Sequence, residues 1–190
     1  MSQSQSSTKE EEWRDYLTIR INKDDTIAED ESRKISKPPK ALVDVKPLSY
    51  CPQILTIGPL YERLGGSSSL YDCKAQCVNR FMRRHGISDV EQLMQCLFDE
   101  PCNLHTHYSG LPNYSEEALK FIVTVDTVFL NEFLIYLTTG WESVEDYDFF
   151  FFNAFCNNGI TIKQLWKDLF LMGNQIPMPF LLKLIEKFPK

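Results

Sequence analysis

The sequence predicts a mainly helical fold, a bundle of five or six helices preceded by an extended proline-rich segment. Three observations lead there. From Ser69 onward apolar residues recur at intervals of three and four. Pro38, Pro39, Pro47, Pro52 and Pro59 crowd a stretch just before that pattern begins. Hydrophobic residues make up 43% of the 190, a globular composition with enough length for one domain core.

Residues 1–36 read as a polar tail, interrupted by Asp24, Asp25, Glu29, Asp30 and Glu31; only Trp13 to Ile21 carries an apolar pattern. The tail is expected to stay mobile, because it offers little apolar area to offset its ordering entropy. Residues 37–190 then form the helical domain. Lys46 to Pro59 is expected to be extended, since proline has no N–H and disfavours helix in the residue before it.

The first helix follows the Gly65-Gly66 turn, with Leu70, Cys73, Cys77 and Phe81 on one face and Lys74, Arg80, Arg83 and Arg84 largely on the other, ending near Gly86. Ser88 to Glu91 has capping-box spacing ahead of the stripe Val90, Leu93, Met94 and Leu97, which Pro101 stops. A polar loop from Cys102 to Asn113 leads to a helix opened by Ser115, Glu116 and Glu117 and running to about Leu137. Ser143 to Phe155 and Thr161 to Leu171 are further helical runs, separated by Asn158-Gly159. The last helix starts near Pro177, with Phe180, Leu181, Leu184 and Ile185 inward.

A net charge of −6 gives no broad attraction to phosphate, so nucleic acid is not an expected partner. Met1 to Glu12 has neither the apolar core of a secretory signal nor the basic character of a transit peptide, and the expected address is cytoplasmic. No stretch is read as a membrane span; Asp126, Asn131 and Glu132 break the nearest candidate. The 6 cysteines are expected to be reduced thiols.

Pro39-Lys-Ala-Leu42 followed by Tyr50-Cys-Pro-Gln-Ile-Leu-Thr-Ile-Gly-Pro59 resembles the opening of the plant domain of unknown function 247 family. Leu70, Asp72 and Lys74 loosely resemble its next signature. Tyr114 through Asp126 to Phe129 and Glu132 is similar to its Asp-Gly-Cys-Phe helix, and Trp166 to Pro177 to its Asp-Leu-Leu-Leu-Leu-Glu-Asn-Gln-Ile-Pro motif. Tyr61-Glu62 stands where the family has a His pair, Thr127-Val128 replaces Gly-Cys, and Gly173 replaces the Glu before Asn174-Gln175. The resemblance implies a half-length, anchorless relative of membrane-associated proteins. It also implies a non-catalytic, partner-recognising role, with pollen self-incompatibility or sterility and defence as settings. A partner could be a second copy or a full-length family member, and membrane association would come through it.

Among candidate sites, Cys96, Cys102, His105 and His107 have the donor chemistry for zinc, but without a Cys-X-X-Cys pair they read as a packed thiol and loop histidines. Cys73 and Cys77 read as core rather than redox residues. No nucleophile with a base, phosphate loop or carboxylate pair has a recognisable spacing, so no catalytic residue and no cofactor are expected. Gly58 and Pro59 read as turn chemistry. Asp126, within an apolar helix, reads as a cap for a neighbouring segment. Asn174 and Gln175, before Pro177, read as amides that satisfy backbone groups at a helix joint.

Phe149, Phe150, Phe151, Phe152 and Phe155 are the expected partner-binding residues, because aromatics so closely spaced cannot share one helix face. The competing expectation is that Trp13 to Ile21 folds back over them. A metal-dependent or hydrolytic enzyme, and a truncated regulator pairing with full-length relatives, are the alternative readings of function.

Overall fold

The computed structural model describes residues 34–61, 68–99, 101–139 and 159–189, and the longer helices follow the apolar period of the sequence. Among the described residues the α-helices are α1 Lys40–Val45, α2 Pro47–Tyr50, α3 Ser68–His85, α4 Val90–Leu97, α5 Glu116–Thr139, α6 Ile162–Leu169 and α7 Met178–Lys187. A 3₁₀ turn covers Leu104–His107. Two short strands, β1 Ile35–Ser36 and β2 Tyr108–Ser109, pair in parallel. The fold is therefore mainly helical, with a minimal sheet.

Helix ends follow local chemistry. Gly86, with φ +66°, ends α3 while Ile87 N–H returns to Met82 O at 2.9 Å. Asp89, rather than Ser88, caps α4: its carboxylate accepts from Gln92 N–H at 2.8 Å, and Gln92 Oε1 accepts from Ser88 N–H at 2.9 Å. Ser115 Oγ accepts from Ala118 N–H at the start of α5, and Thr161 and Gln164 form a reciprocal capping box on α6.

The proline-rich segment is not extended throughout. Pro47 begins α2, where a missing N–H costs nothing and its fixed φ suits a first turn; Pro52 follows once that turn has ended. The stretch from Cys102 to Asn113 is also more structured than a polar loop, since Leu104 and Tyr108 are buried and carry the 3₁₀ turn and β2. Pairing of Ile35 with Tyr108 brings β1 into the compact unit, which begins at Lys34. Residues 1–33, the Gly65-Gly66 turn and the expected helix from Ser143 to Phe155 lie outside the described residues.

Helix α5 is the centre, packing against α3, α4, α7 and the 3₁₀ turn. Leu119, Val123, Phe129 and Phe133 join Leu55, Ile57, Cys73 and Cys77 in one cluster, while Val128 meets Phe81, Leu93, Leu97 and Leu184 in another. Phe129 and Phe133 stack one turn apart at 6.0 Å. By length and composition α5 could cross a bilayer. Here it is a core helix, and its buried Asp126 and Glu132 are held by Lys74 of α3 and by a two-pronged Arg84. Ile185 of α7 departs from expectation: it faces outward beside Leu182, because Phe180, Leu181 and Leu184 already fill the inner face.

At the open end of α4, Asp99 takes Lys183 and Lys187 of α7. The two ammonium groups hold its carboxyl down at about 2. A depressed folded-state pKa stabilises above the ordinary carboxylate range of 3.8 and is lost as pH falls toward 2. Asp99→Asn should therefore flatten acid destabilisation in that window, as followed by circular dichroism. Phe129→Ala should lower unfolding free energy by about 3–5 kcal/mol in urea titration. Leu48→Ala, on the exposed side of α2, should stay within about 0.5 kcal/mol.

Candidate functional site

From Cys51 to Pro59 the chain runs as a strap that lies in no sheet. Alternation sends Leu55 and Ile57 into the core and leaves Ile54 and Thr56 only partly buried. Without a neighbouring strand, the strap's buried amides need other partners. Side chains supply them.

Asp168, on α6, is 1% exposed and accepts from three successive amides: Gln53 N–H at 3.1 Å, Ile54 N–H at 2.7 Å and Leu55 N–H at 2.9 Å. Asn174, after α6, accepts from Ile57 N–H at 2.7 Å and donates to Leu55 O at 2.7 Å and Asp168 O at 2.9 Å. Asp126, on α5, accepts from Gly58 N–H at 2.7 Å and pairs with Lys74 Nζ at 2.5 Å. Lys74 in turn donates to Thr56 O at 2.8 Å. Buried charge is tolerated here because each ion meets a counter-ion or oriented backbone dipoles.

Gly58 makes the closest approach. Its φ is +71°, and a Cβ there would stand 2.1 Å from Gln175 O, which also accepts the Tyr108 hydroxyl at 3.3 Å. Burial, followed by the Asp126 charge, pushes the Tyr108 hydroxyl up, so it remains a donor. Gly173 is comparably confined: a Cβ would meet Ser36 O at 2.9 Å and Tyr61 Cε2 at 3.0 Å.

Gly58, Asp126 and Asn174 thus meet at one junction, with Pro59 and Pro177 buried beside them in sequence; Gln175 contributes its carbonyl while its side chain is exposed. Two members escaped the sequence reading. Lys74 was assigned to the polar face, yet it lies one turn after Leu70 on the buried stripe, and its ammonium is held inside by Asp126 and Thr56. Asp168 sits one turn after Leu165 on the inner face of α6, and a carboxylate on an apolar stripe is the signal the sequence carries for it.

The zinc candidates do not converge. Cys102 Sγ and His107 Nε2 are 4.0 Å apart, while His105 turns to Glu116 at 3.7 Å and Glu116 also accepts from Leu104 N–H. Among the described residues no three His, Cys, Asp or Glu side chains form a group able to hold a metal ion. Burial, with Glu116 nearby, pushes the Cys102 thiol up. Cys73 and Cys77 are buried in the core, where their mutual hydrogen bond and burial push the Cys77 thiol up. Phe149 to Phe155 lie outside the described residues.

Apolar side chains are instead exposed at the C-terminal end. On α7, Met178, Leu182 and Ile185 stand at i, i+4 and i+7, with Met178 60% and Leu182 58% exposed. Phe170, 76% exposed, stacks on Trp166 at 5.5 Å, and Met172 is 73% exposed.

The helical domain closes around a side-chain-tethered strap, with buried Asp126, Asp168 and Lys74 spent on strap backbone and buried Glu132 on Arg84. The family model described as a plant protein of unknown function, the domain of unknown function 247, matches residues 35–190, and the chain belongs to that family. It is 25% identical over 149 residues to a UPF0481 protein of Arabidopsis thaliana, covering 78% of this chain and 26% of that relative. The chain therefore spans about a quarter of the relative's length. No solved structure matches.

Asp168→Ala should cost about 3–5 kcal/mol in urea titration, because it strands three amides at once. Gly58→Ala should be similarly severe, whereas Gly159→Ala, with open space around its Cβ, should cost only the positive-φ penalty of about 1 kcal/mol.

Proposed function

We propose that this chain is a non-catalytic protein-interaction module, and the observation that supports it most directly is the exposed apolar stripe of α7. A helix that buries Phe180, Leu181 and Leu184 on one side while presenting Met178, Leu182 and Ile185 on the other has two apolar faces. The i, i+4, i+7 spacing suits an amphipathic helix of a protein partner lying along α7. A second copy of the chain or a longer family member is the first candidate to supply it. The Phe149 to Phe155 run, which lies outside the described residues, is a further candidate for partner binding on its sequence.

Catalysis is the weaker reading. Asp126, Asp168 and Lys74 have the chemistry of acids and bases, but each is committed to strap amides or carbonyls and lies away from solvent. The family resemblance carried by the strap and the Asn174-Gln175 motif supports recognition in plant reproduction or defence. We place that recognition in the cytoplasm, with any membrane association supplied by the partner.

Affinity capture from plant tissue with the purified chain should retain a defined protein, and sedimentation at roughly tens of micromolar separates that result from self-association. The double variant Leu182→Ser with Ile185→Ser should weaken capture at least about tenfold, since each buried aliphatic side chain contributes roughly 1.5–3 kcal/mol. Helical circular dichroism should be unchanged. Undiminished capture by the variant, or stoichiometric zinc that disappears on Cys102→Ala or His105→Ala, would overturn the proposal.

A further inference from the structure

Beside the strap lies a cleft of about 740 Å³ walled by α1, the start of α3 and by Leu60 and Tyr61. Its size falls within the roughly 300–1,000 Å³ of ordinary small-molecule sites. The floor is fixed in advance. Gln53, Ile54 and Thr56 line the cleft, and the amides of Gln53, Ile54 and Leu55 are pinned by Asp168. One wall is fixed as well, because the Tyr61 hydroxyl donates to Tyr50 O at 3.2 Å and Gly173 leaves room for its ring.

Charge in the cleft runs against that of the chain. The net charge is −6, yet among the described residues lining the cleft the charged side chains are Lys37 and Lys40, and none is acidic. Lys37 Nζ stands 5.2 Å from the Tyr61 ring centroid, at the edge of an apolar interior that includes Ile54, Leu70 and Tyr71. Cations at the mouth and apolar or aromatic walls within select a molecule of matching polarity: a negative head on an apolar body.

We infer that this cleft is a binding site for a small organic anion with an aromatic or aliphatic body, such as a carboxylate or sulfonate. The site is separate from the α7 stripe and stands whether or not that stripe binds a protein. A rigid floor lowers the ordering cost of binding, and the two ammonium groups supply an attraction that salt weakens.

The test uses anilinonaphthalene sulfonate, a fluorescent aromatic anion, on the full chain, with phenylnaphthylamine as its uncharged counterpart. Saturable one-to-one binding of the anion is expected, with weaker binding of the uncharged probe and displacement by naphthoate. Lys37→Glu with Lys40→Glu should reduce affinity about tenfold or more, and both positions are exposed, so the fold should be kept. Val43→Trp, which fills the cleft from α1, should also reduce binding. Because the same probe can adsorb to exposed apolar surface, Leu182→Ser with Ile185→Ser serves as the control and should leave binding unchanged. Equal affinity for the uncharged probe, insensitivity to the lysine variants in a chain of intact helical signal, or loss that follows the α7 variant would each overturn the inference.

Discussion

A carboxylate taken out of water must be surrounded by donors, and Asp168 is surrounded by the amides of Gln53, Ile54 and Leu55. That interaction fixes the strap to α6. Asn174 repeats the arrangement one step further along, and Asp126 extends it to α5 through Gly58. A segment that would otherwise need a strand on either side is thereby ordered by three helix-borne or loop-borne side chains. Detaching the strap would pull its own Leu55 and Ile57 out of the core cluster they share with Phe129 and Phe133. Polar satisfaction and hydrophobic packing are consequently one structural unit, since neither the buried ions nor the apolar cluster could persist without the other.

The parts of this fold that were legible are those set by neighbours in sequence. Helices α3, α5, α6 and α7 follow from period and caps, because a residue three or four positions away is a residue on the same face. Asp126 also announced itself, as an acid in an apolar helix demands a partner whoever that partner is. The partner itself was not legible. Gly58 lies 68 positions from Asp126 and Gln53 lies 115 from Asp168, and no local pattern encodes a pairing at that range. Lys74 was misplaced for the same reason: a lysine reads as solvated until the buried acid opposite it is known. Pro47 misled in another way, since proline both forbids a helix interior and favours a helix start.

Chemistry-bearing residues and surface-bearing residues divide cleanly across the molecule. Asp126, Asp168, Asn174 and Lys74 hold the strap and Glu132 holds Arg84, while other side chains form the exposed surfaces. Those surfaces differ in character. The α7 stripe is apolar and exposed, whereas the cleft beside α1 is concave and lined in part by Lys37 and Lys40.

The confined space around Gly173 joins positions that are far apart in the chain. A side chain at 173 would enter the volume held by the Tyr61 ring and the Ser36 carbonyl. These are two of the places where the family resemblance leads one to expect other residues, a histidine at 61 and a glutamate at 173. Ring and glycine fit as a matched exchange: bulk gained at one site is offset by bulk lost at the other. Substitutions at 61 and 173 should therefore be coupled in energy rather than additive, because the two positions draw on one volume.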